Sequence, residues 1–304
     1  MNVLVTGGDG YIGHTCIRCL FDQGHKAYSL DNMSGENSTI HYGYNSYTAD
    51  ISDYTFLKHI IQSNKIDAII HCAAFASVSD AESNPALYYE NNTGKTSLLV
   101  RTAVDCGIKR FVFASSCAVY GNAVGRLSPI MPRNPSGIYG HSKAQSEEQL
   151  EWVAHRMDIG VTIARIFNVA GTVLHHGEKA KNRIIPLLVQ SALKGNKVTI
   201  YGDNLCTDDG TAERDYIHVQ DVANELCACV EHSGLETINI CSGRTVSINQ
   251  LIKIVSEMTG TAPNVEYKRR RAGEAESVCG IPHTDECISI SRIIKSEINW
   301  QRGK

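Results

Sequence analysis

Two hydrophobic periods alternate along the first half of the chain. Short continuous apolar runs are followed by longer stretches in which apolar residues return every third or fourth position. The runs Asn2–Thr6, Lys26–Leu30, Asp67–His71, Arg110–Ser115 and Val161–Phe167 predict strands, and the stretches Tyr11–Gln23, Asp53–Ser63, Pro85–Cys106 and Tyr139–Met157 predict helices. A strand without polar alternation is buried on both faces. Such strands alternating with helices predict an α/β fold, a doubly wound parallel sheet of the Rossmann type. Ligands are then expected at the carboxyl edge of the sheet.

After Asn168 the alternation loosens. Gly171 to Lys181 is polar and predicts a loop. Ile184–Leu193 predicts a helix, and Val198–Tyr201 and Thr237–Ile240 predict strands. Ser247 and Gln250 have capping-box spacing ahead of a helix running to about Met258. The expected organisation is a cofactor-binding domain over residues 1–170 and a smaller, mainly substrate-binding lobe over 171–304. Segments at about 216–241 are expected to return to the first domain.

Composition changes this picture little. With 29 Lys and Arg against 32 Asp and Glu the net charge is −3, and the one basic block is Lys268–Arg271. That excludes a general field for nucleic acid or for a membrane surface. Eleven cysteines are scattered, many in apolar runs. They read as reduced core thiols, and with no apolar run of spanning length the expected compartment is the cytoplasm. Cys16 and Cys19 form a C-x-x-C without a second ligand pair, so no metal is expected.

Chemistry enters at two places. Gly8, Gly10 and Gly13 follow a predicted strand and open a predicted helix, and Gly7 precedes them. Glycines there permit a tight turn and let a pyrophosphate approach the backbone at a helix N-terminus. Asp31 ends the second strand, where a carboxylate accepts hydrogen bonds from a ribose 2′-hydroxyl and repels a 2′-phosphate. The expected cofactor is NAD.

Tyr139 and Lys143 lie four residues apart and so share one helix face. A phenol, with a pKa of about 10, is a poor base at neutral pH. A neighbouring ammonium favours the phenolate and lets the tyrosine exchange the proton of a carbinol. Ser115 and Ser116 close a strand at the edge where substrate is expected, and one hydroxyl could hold the reacting oxygen.

These residues carry a family resemblance. Val5–Gly13, Leu30–Asn32, Tyr88–Asn92, Ser115–Gly121, Tyr139–Lys143, Arg165–Asn168 and above all Thr207–Val219 resemble the extended short-chain dehydrogenases/reductases, and within them the NAD-dependent nucleotide-sugar 4-epimerases. The likeness spans roughly residues 2 to 300. It implies epimerisation at C4 of a UDP-hexose, the UDP-glucose/UDP-galactose pair or its N-acetylated counterpart, through a transient 4-keto sugar. It implies that Gly7, Gly10, Tyr11, Ile12 and Gly13 cradle NAD, that Asp31 and Asn32 contact its adenosine ribose, and that Asp50 and Ile51 flank the adenine. Tyr139 becomes the general base, Lys143 holds the nicotinamide ribose, and Ser116 bonds the sugar O4. Asn168, Asn182, Arg183, Arg214, Arg271 and Glu274 are implied to hold the nucleotide part of the substrate. Counted without gaps, Val278 falls where a tyrosine confines some related epimerases to unacetylated sugars. A homodimer through the helices matching Pro85–Cys106 and Tyr139–Met157 is implied as well.

The chain departs from the pattern in several places. His14 follows Gly13 directly where the family has a serine between them. Ile166 replaces a tyrosine, Arg183 an asparagine and Ala76 a lysine. Arg183 keeps a uronate 4-epimerase open, since its charge would suit a carboxylate. A 4,6-dehydratase or decarboxylase is the other enzyme alternative, but Cys117 and Ala118 stand where dehydratases carry acids. An NAD- and nucleotide-sugar-binding regulatory protein is the alternative without turnover.

Overall fold

The apolar runs become strands because only a covered sheet can bury them. Val3, Leu4, Ile69, Ile70, Phe113 and Ile163 have almost no exposed surface. The computed structural model describes residues 1–35, 45–173, 176–177, 183–270 and 275–303. Asn182, Arg271 and Glu274 lie outside the described residues. The chain forms two compact units, one of Met1–Gly121, Pro129–Ile166 and Ala223–Ile238, the other of Asn122–Ser128, Phe167–Val222 and Asn239–Lys304.

The first unit is built on a seven-stranded sheet. Its order is Leu235–Ile240, Gly160–Ile166, Arg110–Ser116, Ala68–His71, Asn2–Thr6, Lys26–Asp31, Asn45–Thr48. Asn2–Thr6 pairs in parallel with Lys26–Asp31 on one side and Ala68–His71 on the other. The sequence order therefore reverses beside the first strand, the switch point at which such sheets bind ligands. The register sets Thr6 opposite both Leu30 and His71, His71 opposite Phe113, and Ser116 opposite Ile166. The carboxyl ends that carry the candidate groups are thus aligned on one edge.

The expected helices form, with changes at their ends. The second helix runs Tyr54–Ser63, because the Asp53 side chain accepts the Phe56 N–H at 3.0 Å and acts as its N-cap. The single helix expected over Pro85–Cys106 is corrected. An α-turn at Pro85–Tyr88 passes into a π-turn at Tyr89–Gly94 before the helix Lys95–Asp105. Asn92 lies in the π-turn, and its amide exchanges two hydrogen bonds with the Phe75 backbone, at 2.9 and 3.0 Å. Those tertiary bonds accompany the widened turn, a feature that propensity does not signal.

The second unit holds strands in the order Thr245–Ser247, Glu213–His218, Ser277–Gly280, Arg126–Leu127, with Asn168–Ala170 paired to Glu213–His218. The helices Ile184–Lys194, Ile248–Thr259 and Ile290–Arg302 bury Leu188, Leu251, Ile293 and Ile294 in a core of their own. The Ser247/Gln250 capping box forms as its spacing predicts. The loop expected over Gly171–Lys181 is corrected in part, since Thr172–Val173 and His176–Gly177 pair as short antiparallel strands. All eleven cysteines are unbridged, and among the described residues no helix is long and apolar enough to cross a membrane.

His71 closes the core beneath the site. Its Nδ1 lies 2.7 Å from Thr6 Oγ1 and its Nε2 lies 2.8 Å from Thr96 Oγ1. Thr96 gives its own proton to the Asn92 carbonyl at 2.6 Å, so it accepts from Nε2–H, and the bare Nδ1 accepts from Thr6. The ring is therefore held neutral. Burial, aided by the Lys143 ammonium, pushes its pKa down to about 3, and burial beside Arg292 takes His218 to about 4. Both folded values lie below the ordinary histidine value, so the unfolded chain takes up protons first as pH falls. Stability is complete above about pH 6.5 and declines below it, by up to about 1.4 kcal/mol per pH unit for each histidine. Denaturation midpoints measured from pH 7.5 to 4.5 are expected to show this limb. His71→Gln is expected to flatten it while lowering stability at pH 7.5, and an unchanged slope would refute the assignment.

Candidate active site

The glycine turn is built by close approach. Gly7 leaves the first strand with φ of +67°, a left-handed conformation that favours glycine, and its N–H donates to the Leu30 carbonyl at 2.8 Å. A Cβ on Gly7 would sit 2.7 Å from the Ala73 nitrogen, and one on Gly13 would run into the Gly7 carbonyl oxygen. The helix Tyr11–Asp22 begins at once. Its N-cap is Gly10, with no side-chain cap and no acidic residue in the first turn. Its leading N–H groups and positive dipole end are therefore suited to an anion. A bare backbone cradle at a helix N-terminus fits the pyrophosphate of NAD.

The residues expected at the adenosine end start from the close of the next strand. The buried Asp31 carboxylate accepts the Asp9 N–H at 3.2 Å and the Met33 N–H at 2.8 Å, which holds it beside the glycine turn. Asn32 donates to Asp50 at 3.0 Å. Asp50 also accepts two bonds from Ser52 and pairs with Lys95 at 2.7 Å. Burial alone would raise the Asp50 carboxyl, but the Lys95 ammonium and the Ser52 and Asn32 donors override it and hold it well below the usual range. Lys95 has no motif around it, so its part in this cluster was not legible in the sequence. Ile51, next to Asp50, is buried in the core.

The groups expected to do chemistry lie on the strand Arg110–Ser116 and on the helix Ile138–Arg156, which Lys143 bonds to that strand. Ser116 is the last residue of Arg110–Ser116, and its Oγ accepts the Ala118 N–H at 3.2 Å, capping a 3₁₀ turn over Cys117–Tyr120. Tyr139 and Lys143 lie in the opening turns of the helix Ile138–Arg156. Gly140 lets that helix close onto the turn, since a Cβ there would strike the Ala118 carbonyl oxygen. Lys143 is buried, donates to the Ala114 carbonyl at 2.8 Å, and lies 4.6 Å from the Phe113 ring centroid. Burial pushes its pKa down to about 8, against the pull of Cys72 and Glu147. The result is a weakened ammonium one helical turn along from a half-buried phenol. That arrangement can shuttle a proton at neutral pH.

The remaining candidates lie in the second unit. Asn168 donates to the Asp215 carbonyl at 3.1 Å. Arg214 bonds the carbonyls of Glu213 and Glu276 at 2.8 and 3.3 Å, and its strand partner is Val278, so guanidinium and valine share one face of the sheet. Arg183 is exposed at the N-cap of Ile184–Lys194. Asp215, which the sequence did not single out, is the buried anchor here. It accepts the N–H groups of Ser242, Gly243 and Gly280 and the Ser242 hydroxyl, at 2.6 to 3.2 Å.

The cradle yields a direct test. Gly13→Ala must displace the Gly7 carbonyl, whereas a Cβ at Gly10 meets the same oxygen at 3.2 Å and needs only a small adjustment. Gly13→Ala is expected to lower the NAD content of purified protein by about tenfold or more, with Gly10→Ala much milder. Nucleotide released on denaturation measures this, and full NAD retention in Gly13→Ala would refute the cradle.

The model of the NAD dependent epimerase/dehydratase family matches residues 3–241. The UDP-glucose 4-epimerase of Lacticaseibacillus casei is 31% identical, with 100% of this chain and 97% of that protein covered. The UDP-glucose 4-epimerase of Stenotrophomonas maltophila, solved with NAD and formylated UDP-arabinopyranose, superimposes with a TM-score of 0.94 at 27% identity, covering 100% of this chain and 98% of that one. The UDP-Glc/GlcNAc 4-epimerase of Campylobacter jejuni gives a TM-score of 0.85 at 28% identity, covering 100% and 99%. A family model spanning most of the chain, with full-length relatives of the same fold, makes this chain a member of the NAD dependent epimerase/dehydratase family.

Proposed function

We propose that this protein interconverts UDP-hexoses at C4, with NAD retained through the cycle. The observation that carries this reading is the buried Lys143, bonded to Ala114 two residues before Ser116 and one helical turn after Tyr139. Bound NAD supplies a hydride acceptor for C4, and the glycine turn and Asp31 are the residues that would hold it. Tyr139 takes the O4 proton, and the Lys143 ammonium favours the phenolate that does so. Ser116 Oγ holds O4 in line with Tyr139. After the 4-keto sugar turns about its diphosphate link, the hydride held by NAD would return to the opposite face of C4, while Tyr139 returns the proton to O4. Asn168, Asn182, Arg183, Arg214, Arg271 and Glu274 are assigned to the nucleotide part. Strong contacts there and weak ones to the hexose are what the turning requires. Guanidinium groups suit a diphosphate through charge-assisted hydrogen bonds.

A homodimer and a cytoplasmic location complete the proposal. Leu87, Leu98, Trp152 and Met157 are exposed on or beside the helices implied in dimerisation, which supports an apolar seam there. Unbridged thiols suit a reducing compartment.

Tyr139→Phe is expected to fold and keep NAD but lose turnover by a factor on the order of 10². Interconversion of UDP-galactose and UDP-glucose measures this, and a Phe variant with most of its activity would remove Tyr139 from the chemistry.

Substrate breadth rests on Val278, half-buried beside Arg214. Valine leaves room that a tyrosine would fill, and overpacking an acetamido group against that ring costs about 1–3 kcal/mol. The wild type is expected to interconvert UDP-GlcNAc and UDP-GalNAc as well, with Val278→Tyr losing only the acetylated reaction. Comparing kcat/KM for both pairs decides it. A wild type that turns over UDP-galactose but not UDP-GlcNAc would sink the idea.

A further inference from the structure

The helix that carries Tyr139 and Lys143 buries a second polar set that the reaction does not touch. Glu147 lies one turn beyond Lys143 and two beyond Tyr139, with no exposed surface. Its carboxylate accepts the Ser115 hydroxyl, Arg165 Nη2 at 2.8 Å, Arg165 Nε at 3.1 and 3.2 Å, and Arg133 Nη1 at 3.4 Å. Arg165 stands opposite Ser115 in the sheet, donates to the Pro129 carbonyl at 3.1 Å and lies 4.8 Å from the Tyr120 ring centroid. Arg133 makes two further bonds to Glu151, at 2.7 and 2.9 Å. Two carboxylates thus balance two guanidiniums.

Burying such a cluster is costly, and apolar residues of equal volume often stabilise a fold as well or better. Its placement points to another role. Ser115 directly precedes Ser116, so one carboxylate grips both the strand that ends in the serine and the helix that carries the tyrosine and lysine. The same carboxylate lies one turn from the buried ammonium. The groups facing Lys143 are Glu147 on its own helix, Cys72 and His71 from the neighbouring strand and its end, and the Ala114 carbonyl.

We propose that Glu147 is a positioning residue, which locks Ser116 against Tyr139 and Lys143 through Ser115 and Arg165 and whose charge keeps Lys143 an ammonium during turnover. This rests on the assignment of Tyr139 and Lys143 to the reaction. Burial lowers the Lys143 pKa, and Glu147 opposes that. Removing the negative charge lets it fall further, so the ammonium is lost at lower pH.

The test is the pH profile of kcat for the NAD-loaded enzyme on UDP-galactose. Glu147→Gln keeps the shape and removes the charge. It is expected to lower kcat about tenfold with KM within about twofold. Its alkaline limb should move down by about 0.5 pH unit or more, a shift that loosened packing alone does not produce. Glu147→Asp, which keeps the charge, is expected to return the limb to its wild-type position. If the single variant does not fold, Ser115→Ala removes the hydroxyl through which Glu147 grips the strand, and a fall in kcat with KM within about twofold is expected; wild-type kcat in folded Ser115→Ala overturns the positioning role. An alkaline limb and kcat equal to wild type in the folded Gln variant overturn the proposal. Tyr139→Phe, assayed in parallel, separates the two ideas. If it is inactive while Glu147→Gln is unchanged, the positioning role alone fails. If it is active, the catalytic assignment fails first.

Discussion

A buried ammonium organises the site. Lys143 has left water, and what it receives in exchange is the Ala114 carbonyl, the face of Phe113 and a carboxylate one turn away. These do not fully replace hydration, so the cation is held close to its titration point. For structural stability alone that is a poor bargain. Under the proposed function it is useful, because an ammonium one helical turn from Tyr139 favours the phenolate. The bond to Ala114 also fixes the distance between helix and strand. Gly140 permits that distance at the start of the helix, and Glu147 holds it two turns further along the same face.

Backbone constraints shape the expected cofactor turn in the same way. The turn after the first strand is possible because three backbones meet at Gly7, Gly13 and Ala73 with no Cβ between them. Parallel pairing then sets the scale of the site. Thr6, His71 and Phe113 lie in one row, so the glycine turn, Asp31 and Ser116 emerge from one edge of the sheet. The neutral His71, bonded to a threonine on each side, fills the layer directly beneath. The second unit repeats the theme with a carboxylate, since four donors converge on Asp215 and tie three segments of the chain together.

The strands and helices of the first half were legible because burial on both faces writes itself as unbroken apolar runs, and because Gly, Asp, Tyr and Lys at fixed spacing have few other uses. The capping box at Ser247 was legible for the same reason, as both partners lie within one turn. Local pattern therefore determined the fold class, the tight glycine turn and the placing of Tyr139 and Lys143 one turn apart on one helix. What tertiary structure alone decided are the contacts between residues far apart in sequence. Asn92 with Phe75 accompanies a π-turn within the expected helix, Lys95 reaches back to Asp50, and Arg165 and Arg133 converge on Glu147. Each is a polar side chain that a one-dimensional pattern assigns to solvent. Folding buries Asn92 and Arg165 and partly covers Lys95 and Arg133, each beside an opposite charge or a peptide group, and in the low dielectric of the interior such a pairing offsets the cost of leaving water.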